Sequence, residues 1–225
     1  MRAQRHLRVL VVATSGALAV AALAGAAVTD QWKLRFTPQA QAAAKATLIK
    51  RADLGTAPGW TGGPKKPDLT SEMPCPGFSP KQSDLVVNGA ASTEWANPAG
   101  LQISADADVL ATPAMVALDW DRTVDDPRVL PCLRVGLRKE LPPNATLVSM
   151  KRIAFPKLAV HTAAFRGLVD VKATNGTIRM MFDVVVVGHK RTEISLTVIA
   201  PEAAASAVRQ LEVNLSRLMI SRAAL

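Results

Sequence analysis

The residue types that most often carry catalysis are few in this chain. His161 and His189 are the only histidines beyond the first 28 residues. His161 follows the alternation of an apolar strand, which is typical of a core histidine, and His189 lies in a basic turn with Lys190 and Arg191. The sequence also lacks a Gly-x-Ser-x-Gly elbow, a phosphate-binding glycine loop and a His-Glu-x-x-His helix. We therefore expect no enzyme activity and no cofactor.

Four aspartates stand close enough together to suggest a calcium site, namely Asp119, Asp121, Asp125 and Asp126. Calcium-binding loops of the EF-hand type need a glycine at the turn and a terminal glutamate, and this segment has neither. Helix capping and a solvated loop explain the aspartates better. The sequence predicts no metal site.

Two cysteines, Cys75 and Cys132, are nearly sixty residues apart. Metal sites need more ligands at closer spacing. In an oxidising compartment the pair would form a disulfide that stabilises the fold by about 4 kcal/mol on the chain-entropy model. Pairing between two copies of the chain is the alternative.

Three of the four tryptophans, Trp60, Trp95 and Trp120, fall in or beside segments without a clear helical or strand pattern. Aromatic side chains at such positions often line ligand pockets. They also close the edges of small cores. The three tryptophans are the candidate ligand-binding residues, and core packing is the alternative.

The first 28 residues have the features of an export signal. Arg2, Arg5 and Arg8 precede an uncharged run rich in Ala, Val and Leu over residues 9–28. Two Ala-x-Ala sites within residues 22–26 favour cleavage, whereas Trp32 followed by Lys33 favours an uncleaved membrane anchor. Either outcome places the rest of the chain outside the cytoplasm, secreted or anchored to the outer face of the membrane.

Changes in amino-acid composition divide the remaining chain into a stalk or linker over residues 29–52 and a single domain over residues 53–225. Residues 39–52 are Ala-rich and contain Lys45, Lys50 and Arg51, and we expect them to form a short helix or a stalk that leaves the membrane. Six prolines and five glycines over residues 55–80 predict a long irregular loop. Such loops are usually functional or pinned, here by Cys75.

The first half of the domain contains a strand and two helices. Alternation predicts a half-buried strand over residues 101–105. Thr112 followed by Pro113 is a helix start, which leads into residues 114–120. A second helix is expected over residues 131–141, with Cys132 near its beginning.

The second half predicts a β-meander closed by a helix. Strands are expected over residues 147–153 and 160–171, and two more around residues 178–186 and 194–198, with a hairpin at Asn175-Gly176. Pro201 opens an amphipathic helix with apolar residues at Val208, Leu211, Leu215, Leu218 and Met219. We expect an α+β fold in which the long C-terminal helix packs Leu215 and its neighbours on the face formed by Phe182, Val184, Leu196 and Val198. Asp183 is expected on the opposite, polar side of its strand.

Several short motifs together resemble the extracytoplasmic sensor-type domain of actinobacterial receptor Ser/Thr kinases, which also occurs in secreted proteins and lipoproteins. The motifs, between residues 48 and 223, are Asp53-Leu54, Pro58-Gly59-Trp60, Cys75-Pro76, residues 88–92, Cys132-Leu133, the meander and the final helix. The resemblance implies a Mog1/PsbP-like α-β-α sandwich with a ligand cleft and no catalysis. This chain has one cysteine pair where the kinase sensors carry two, and it contains neither a kinase domain nor a lipobox.

Composition sets limits on the partners. The net charge is +9, and the three arginines of the signal leave +6 on the exported part. This surplus favours anionic partners such as a lipid surface or a wall polymer, and a soluble basic surface without a specific anionic ligand is the alternative. Scattered basic residues, 4% aromatics and no Tyr argue against nucleic acid. We expect a non-enzymatic, sensor-like or ligand-binding module of the bacterial cell envelope that binds an envelope component or a small ligand. An accessory protein that binds another envelope protein is the alternative, and an exported hydrolase is third.

Overall fold

The computed structural model describes residues 30–56, 58–69 and 77–225, and they form one eight-stranded sheet with four helices. In chain order the elements are β1 (Lys33–Leu34), α1 (Pro38–Thr47), β2 (Thr61–Lys65), β3 (Val86–Ala96), β4 (Gln102–Leu110), α2 (Pro113–Thr123), α3 (Val129–Glu140), β5 (Ala145–Arg152), β6 (His161–Ala173), β7 (Gly176–His189), β8 (Thr192–Pro201) and α4 (Ala205–Arg222). Short 3₁₀ turns cover Arg51–Leu54 and Glu202–Ala204.

The strand order is β1-β3-β4-β8-β7-β6-β5, and β2 also pairs with β3. β1 runs parallel to β3, and all other described pairs are antiparallel. β1 pairs at Val86 and Val87, whereas β2 pairs at residues 92–96, so the two short strands share the outer edge of β3. The expected α+β class with an antiparallel C-terminal meander is confirmed.

Helices cover both faces of this sheet. On one face, α1 and α4 pack on the largest core, where Ala44, Leu215 and Met219 are buried beside Leu196. On the other face, α2 and α3 pack on β5 and β6 through a second core that contains Trp120. No helix among the described residues combines the length and the apolar composition needed to cross a membrane.

Local signals located most element boundaries correctly. Thr112 caps α2, because its hydroxyl accepts a hydrogen bond from the Met115 amide at 3.2 Å. The hairpin between β6 and β7 forms as expected, with Ala173 paired to Gly176 and the turn at Thr174 and Asn175. The predicted strands and helices of the domain are therefore confirmed, most of them longer than expected.

The predicted orientation of β7 is wrong. Val185 pairs with Leu196 across the strands, so these two residues share the face that α4 covers. Phe182 and Val184 lie on the opposite face, toward α2 and α3. Asp183, expected on the polar side, is only 1% exposed beneath α4. Leu215 is buried as predicted, but its partners come from the other parity of β7.

Two segments expected to lack regular packing belong to the fold: one adds a strand to the sheet and the other adds a helix that packs on it. Residues 55–80 were expected to contain no regular element, yet β2 forms there as an edge strand. Gly62 allows this pairing, since its φ is +127° and a Cβ would lie 2.0 Å from the Glu94 carbonyl oxygen. Within the expected stalk, α1 buries Ala40 and Ala44 in the main core. This places α1 inside the folded unit rather than in a stalk.

Candidate functional site

A cavity of about 530 Å³ lies at the outer edge of β3, beside the C-terminal end of α1 and the 3₁₀ turn that follows it. We call it the edge pocket. Residues 88–91 of β3 lie between the parts that pair with β1 and β2. On this outer side none of the described strands pairs with them, whereas β4 pairs with residues 89–91 on the inner side. Gln41 satisfies the exposed edge by accepting a hydrogen bond from the Ala90 amide at 2.7 Å. The pocket therefore occupies a gap in the sheet edge.

Small residues bring α1 close enough to form one wall of this pocket. A Cβ at Gly89 would lie 2.4 Å from the backbone of Ala40, so only glycine allows the helix to contact the strand here. Ala44 and Ala91 continue the close contact. The run of small residues at 88–92 thus has a packing role, since it sets the distance between α1 and β3.

The pocket floor is largely apolar. Leu48, Ile49, Pro64, Ala91 and Trp95 contribute to its lining. Trp95 is 8% exposed, and its indole N–H donates to the Ile49 carbonyl at 3.3 Å, which fixes the ring against the 3₁₀ turn. Volumes of this size and apolar walls are typical of small-molecule sites.

Polar groups in the lining are basic or neutral. Lys45, Lys50, Arg51 and Lys65 contribute to it, and no carboxylate does among the residues described. Lys65 forms an ion pair with Glu94. Thr93 is 4% exposed, and its hydroxyl has no hydrogen-bond partner within the described part of the chain. Lys45, Lys50, Arg51 and Lys65 are exposed, and we call their side of the cavity the mouth of the pocket. An anionic group at this mouth would meet a net positive charge.

The three predicted tryptophans do not converge on one site. Trp60 is half-buried against the main core, and Trp120 lies on the other face of the sheet. The indole of Trp120 donates to Asp125 Oδ2 at 2.9 Å and lies 5.1 Å from the His161 ring. Of the three, only Trp95 lines the edge pocket. The ligand-binding assignment of the tryptophans stays a prediction.

Carboxylates gather on the sheet face opposite the pocket. Asp108 of β4 pairs with Glu193 of β8 across the strands, and Asp119 of α2 lies above them. Burial raises the pKa of Asp108 to about 7 and that of Asp119 to about 6. Burial and the two neighbouring aspartates raise the pKa of Glu193 well above its usual range.

Two other aspartates near α2, Asp125 and Asp126, are bound by arginines. Arg152 donates to Asp125, and Arg128 makes a close ion pair with Asp126 at 2.7 Å. Over residues 30–56, 58–69 and 77–225, no group of three His, Cys, Asp or Glu side chains is arranged to hold a metal ion.

Sequence reasoning missed most of the pocket. It singled out Trp95, and it noted the lysines of residues 39–52 only as part of a stalk. Gln41 and Thr93 were not identified. The available signal was the combination of an Ala-rich helix with a Gly-Ala-Ala strand, because two surfaces of small residues predict close packing.

The predicted disulfide involves a residue outside the described ranges, Cys75. Cys132 lies in the second turn of α3 and is 8% exposed. Just after the undescribed segment, the Gly77 carbonyl accepts a hydrogen bond from Arg128 at 3.4 Å, and Phe78 lies under the same guanidinium. The chain two residues beyond Cys75 therefore lies beside the start of α3.

We expect non-reducing peptide mapping of the exported protein to return one peptide that links Cys75 to Cys132. A disulfide between these residues requires their two Cα atoms to lie within about 7 Å of each other. Reduction should lower the free energy of unfolding by about 2 to 5 kcal/mol, because it releases a loop of nearly sixty residues. Recovery of two free thiols from material exported by the native host would contradict this prediction.

Comparisons with known proteins leave the family open. No protein-family model matches the chain, and neither does any curated protein. Among solved structures, the chain is similar to an uncharacterized protein from Mycobacterium smegmatis, with a TM-score of 0.39 and 13% sequence identity over 77% of this chain and 96% of that one. This likeness is too distant to transfer a function.

Proposed function

We propose that the chain is a non-enzymatic, exported ligand-binding module of the bacterial cell envelope. The observation that carries this proposal is the edge pocket, which combines an apolar floor at Trp95 with a basic mouth. The arginine-rich, apolar N-terminus supports export. A single sheet with helices on both faces is compatible with the Mog1/PsbP-like sandwich implied by the resemblance, and we include that finer fold assignment in the proposal.

The environment of α4 makes the accessory-protein alternative weaker. That alternative needs the apolar stripe of α4, or the sheet, as a docking surface. Val208, Leu215 and Met219 are instead 3%, 2% and 0% exposed within the main core. Their apolar area is already covered by the sheet, so the stripe is not available to a partner.

Native mass spectrometry of the protein purified from its extracytoplasmic fraction tests the proposal. We expect a bound non-protein mass in the wild-type protein and its loss in Trp95→Leu. Trp60→Leu is the matched control, because Trp60 packs on the same core without contributing to the pocket lining, and it should keep the mass. Thermal melts establish that both variants fold. An identical bound mass in Trp95→Leu would contradict the edge pocket as the site.

Export has its own test. N-terminal sequencing of the protein in the extracellular or wall fraction should begin near Gly25 or Ala27, where Ala-x-Ala sites would be cut. A start at residue 1 or 2 in the membrane fraction would instead indicate an uncleaved anchor, with Trp32 at the interface. A protein found only in the cytoplasm would contradict both versions.

A further inference from the structure

We infer that the edge pocket binds a single-chain amphiphile, with its apolar chain against Trp95 and its anionic head group beside Lys45 and Lys50. This inference rests on the proposed function, because it names the class of ligand for the same pocket. It is carried by the division of the pocket into an apolar floor and a cationic mouth.

The floor favours an apolar chain over a sugar or a peptide. Leu48, Ile49, Ala91 and the prolines at 64 and 67 offer hydrocarbon surface. The indole N–H of Trp95 is already used by the Ile49 carbonyl. A polar ligand would lose its hydration on this surface and find few partners there, whereas an alkyl chain loses no hydrogen bonds.

The mouth favours an anionic head. Lys45 and Lys50 are exposed, and neither forms an ion pair with the residues described. Asp53 lies close to Lys50, whose backbone amide donates to its carboxylate at 2.7 Å, and Arg222 binds the same carboxylate through two hydrogen bonds of 2.7 and 2.8 Å. Two lysines at the mouth therefore keep their positive charge available to a ligand.

The head group also has a neutral partner. Thr93 contributes to the pocket lining, and its hydroxyl is buried and has no hydrogen-bond partner among the described residues. Buried hydroxyls in folded proteins are nearly always paired, and an unpaired one in a pocket wall fits a ligand oxygen. Thr93 would add one hydrogen bond to a head group whose charge the lysines attract.

Titration calorimetry with two lysolipids of the same acyl chain tests this inference. Lysophosphatidylglycerol carries a net negative charge, and lysophosphatidylcholine carries none. We expect the mature protein to bind the anionic lipid about tenfold more tightly at low salt, with the preference decreasing as salt screens the lysines. The double variant Lys45→Glu/Lys50→Glu should lose the preference. Lys139→Glu/Lys172→Glu makes the same charge change at exposed sites distant from the pocket and should keep it.

Other outcomes separate failure of the inference from failure of the proposed function. Equal affinity for the two lipids, abolished by Trp95→Leu, would overturn the anionic head and leave a ligand-binding pocket. Glycerol phosphate bound as tightly as the anionic lysolipid would show a site for a free anion and overturn the apolar chain. Binding to anionic vesicles without binding to monomeric lysolipid would assign the lysines to a membrane surface. Absence of binding to any probe, with no mass on the native protein, would overturn both proposals.

Discussion

Replacing Leu215 by alanine is expected to lower the free energy of unfolding by about 2 to 5 kcal/mol. Leu215 is 2% exposed and lies in the main core between α4 and the sheet, so truncation leaves a cavity that rigid neighbours fill only in part. Urea or thermal denaturation of the purified domain measures the change. A loss of this size is a large fraction of the stability of a small domain.

Arg217→Ala is the matched control, because Arg217 lies one half-turn away on the exposed side of the same helix. Its effect should stay within about 0.5 kcal/mol. If Leu215→Ala left the melting temperature unchanged and abolished association with another protein, α4 would be an exposed docking surface. The accessory-protein alternative would then replace the ligand-binding proposal.

Local signals were sufficient for most of the fold. Strands β6 to β8 are joined by tight turns, and α1 and α2 each begin with a threonine cap followed by a proline, so neighbours in sequence determine these elements. The Thr112 cap and the Ala173 to Gly176 hairpin show this directly. The prediction needed no long-range contact at these positions.

The orientation of β7 could not be predicted in the same way. Helices cover both of its faces, so most of residues 180–187 are apolar and the usual alternation disappears. Asp183 was the one charged residue in the stretch, and it suggested which side faced water. Arg166 of the neighbouring strand makes a bidentate ion pair with Asp183, and this pairing allows the carboxylate to be buried.

The edge pocket depends on contacts between segments that are distant in sequence. β2 contains two glycines and a proline and has little strand propensity of its own, so its pairing with β3 is a tertiary effect. The pocket forms only when β2, β3 and the end of α1 meet. A sequence pattern within any one of these segments gives no indication of the cavity.

Glu212 is another residue whose role the helical pattern concealed. It lies four residues after Val208 and three before Leu215, which places it on the apolar stripe of α4. In the structure it is 0% exposed, and neither carboxylate oxygen has a hydrogen-bond partner among the described residues. The helical spacing places Glu212 among the buried positions of α4. The sequence pattern would therefore have predicted a buried acid if it had included charged residues as well as apolar ones.

The surroundings of Glu212 favour its protonated form. Burial is the largest cause of the shift, and the negative charge of the nearby Asp183 carboxylate is the next. Together they raise the pKa of Glu212 to about 8. Arg166 and Arg209 oppose this shift. Arg166 is engaged with Asp183, and the Arg209 guanidinium lies 3.7 Å from Glu212 Oε2, beyond hydrogen-bond distance. Burial and the like charge therefore prevail.

Glu212→Gln is expected to make the protein more stable than the wild type at pH 9, by a few kcal/mol, and to change little at pH 5. A glutamate whose pKa is raised from its ordinary value of 4.5 to about 8 binds an extra proton in the folded state between these values. Its contribution to stability is complete below pH 4.5 and is lost as the pH rises through 8. Glutamine stays neutral throughout, so the variant should lose this part of the pH dependence.

Urea unfolding at several pH values between 5 and 9 measures the difference between the two proteins. Both will retain some loss of stability with rising pH, because the pKa values of Asp108 and Asp119 are also raised, to about 7 and 6. Glu140→Gln, at the exposed end of α3, controls for removal of a carboxylate and should leave the wild-type slope unchanged. A Glu212→Gln protein that is less stable than the wild type at both pH 5 and pH 9 would show that the ionised glutamate stabilises the fold, so that its pKa is not raised. In that case Arg209 and Arg166 would outweigh burial, and the interior beneath α4 would hold an ion-pair network rather than a neutral acid.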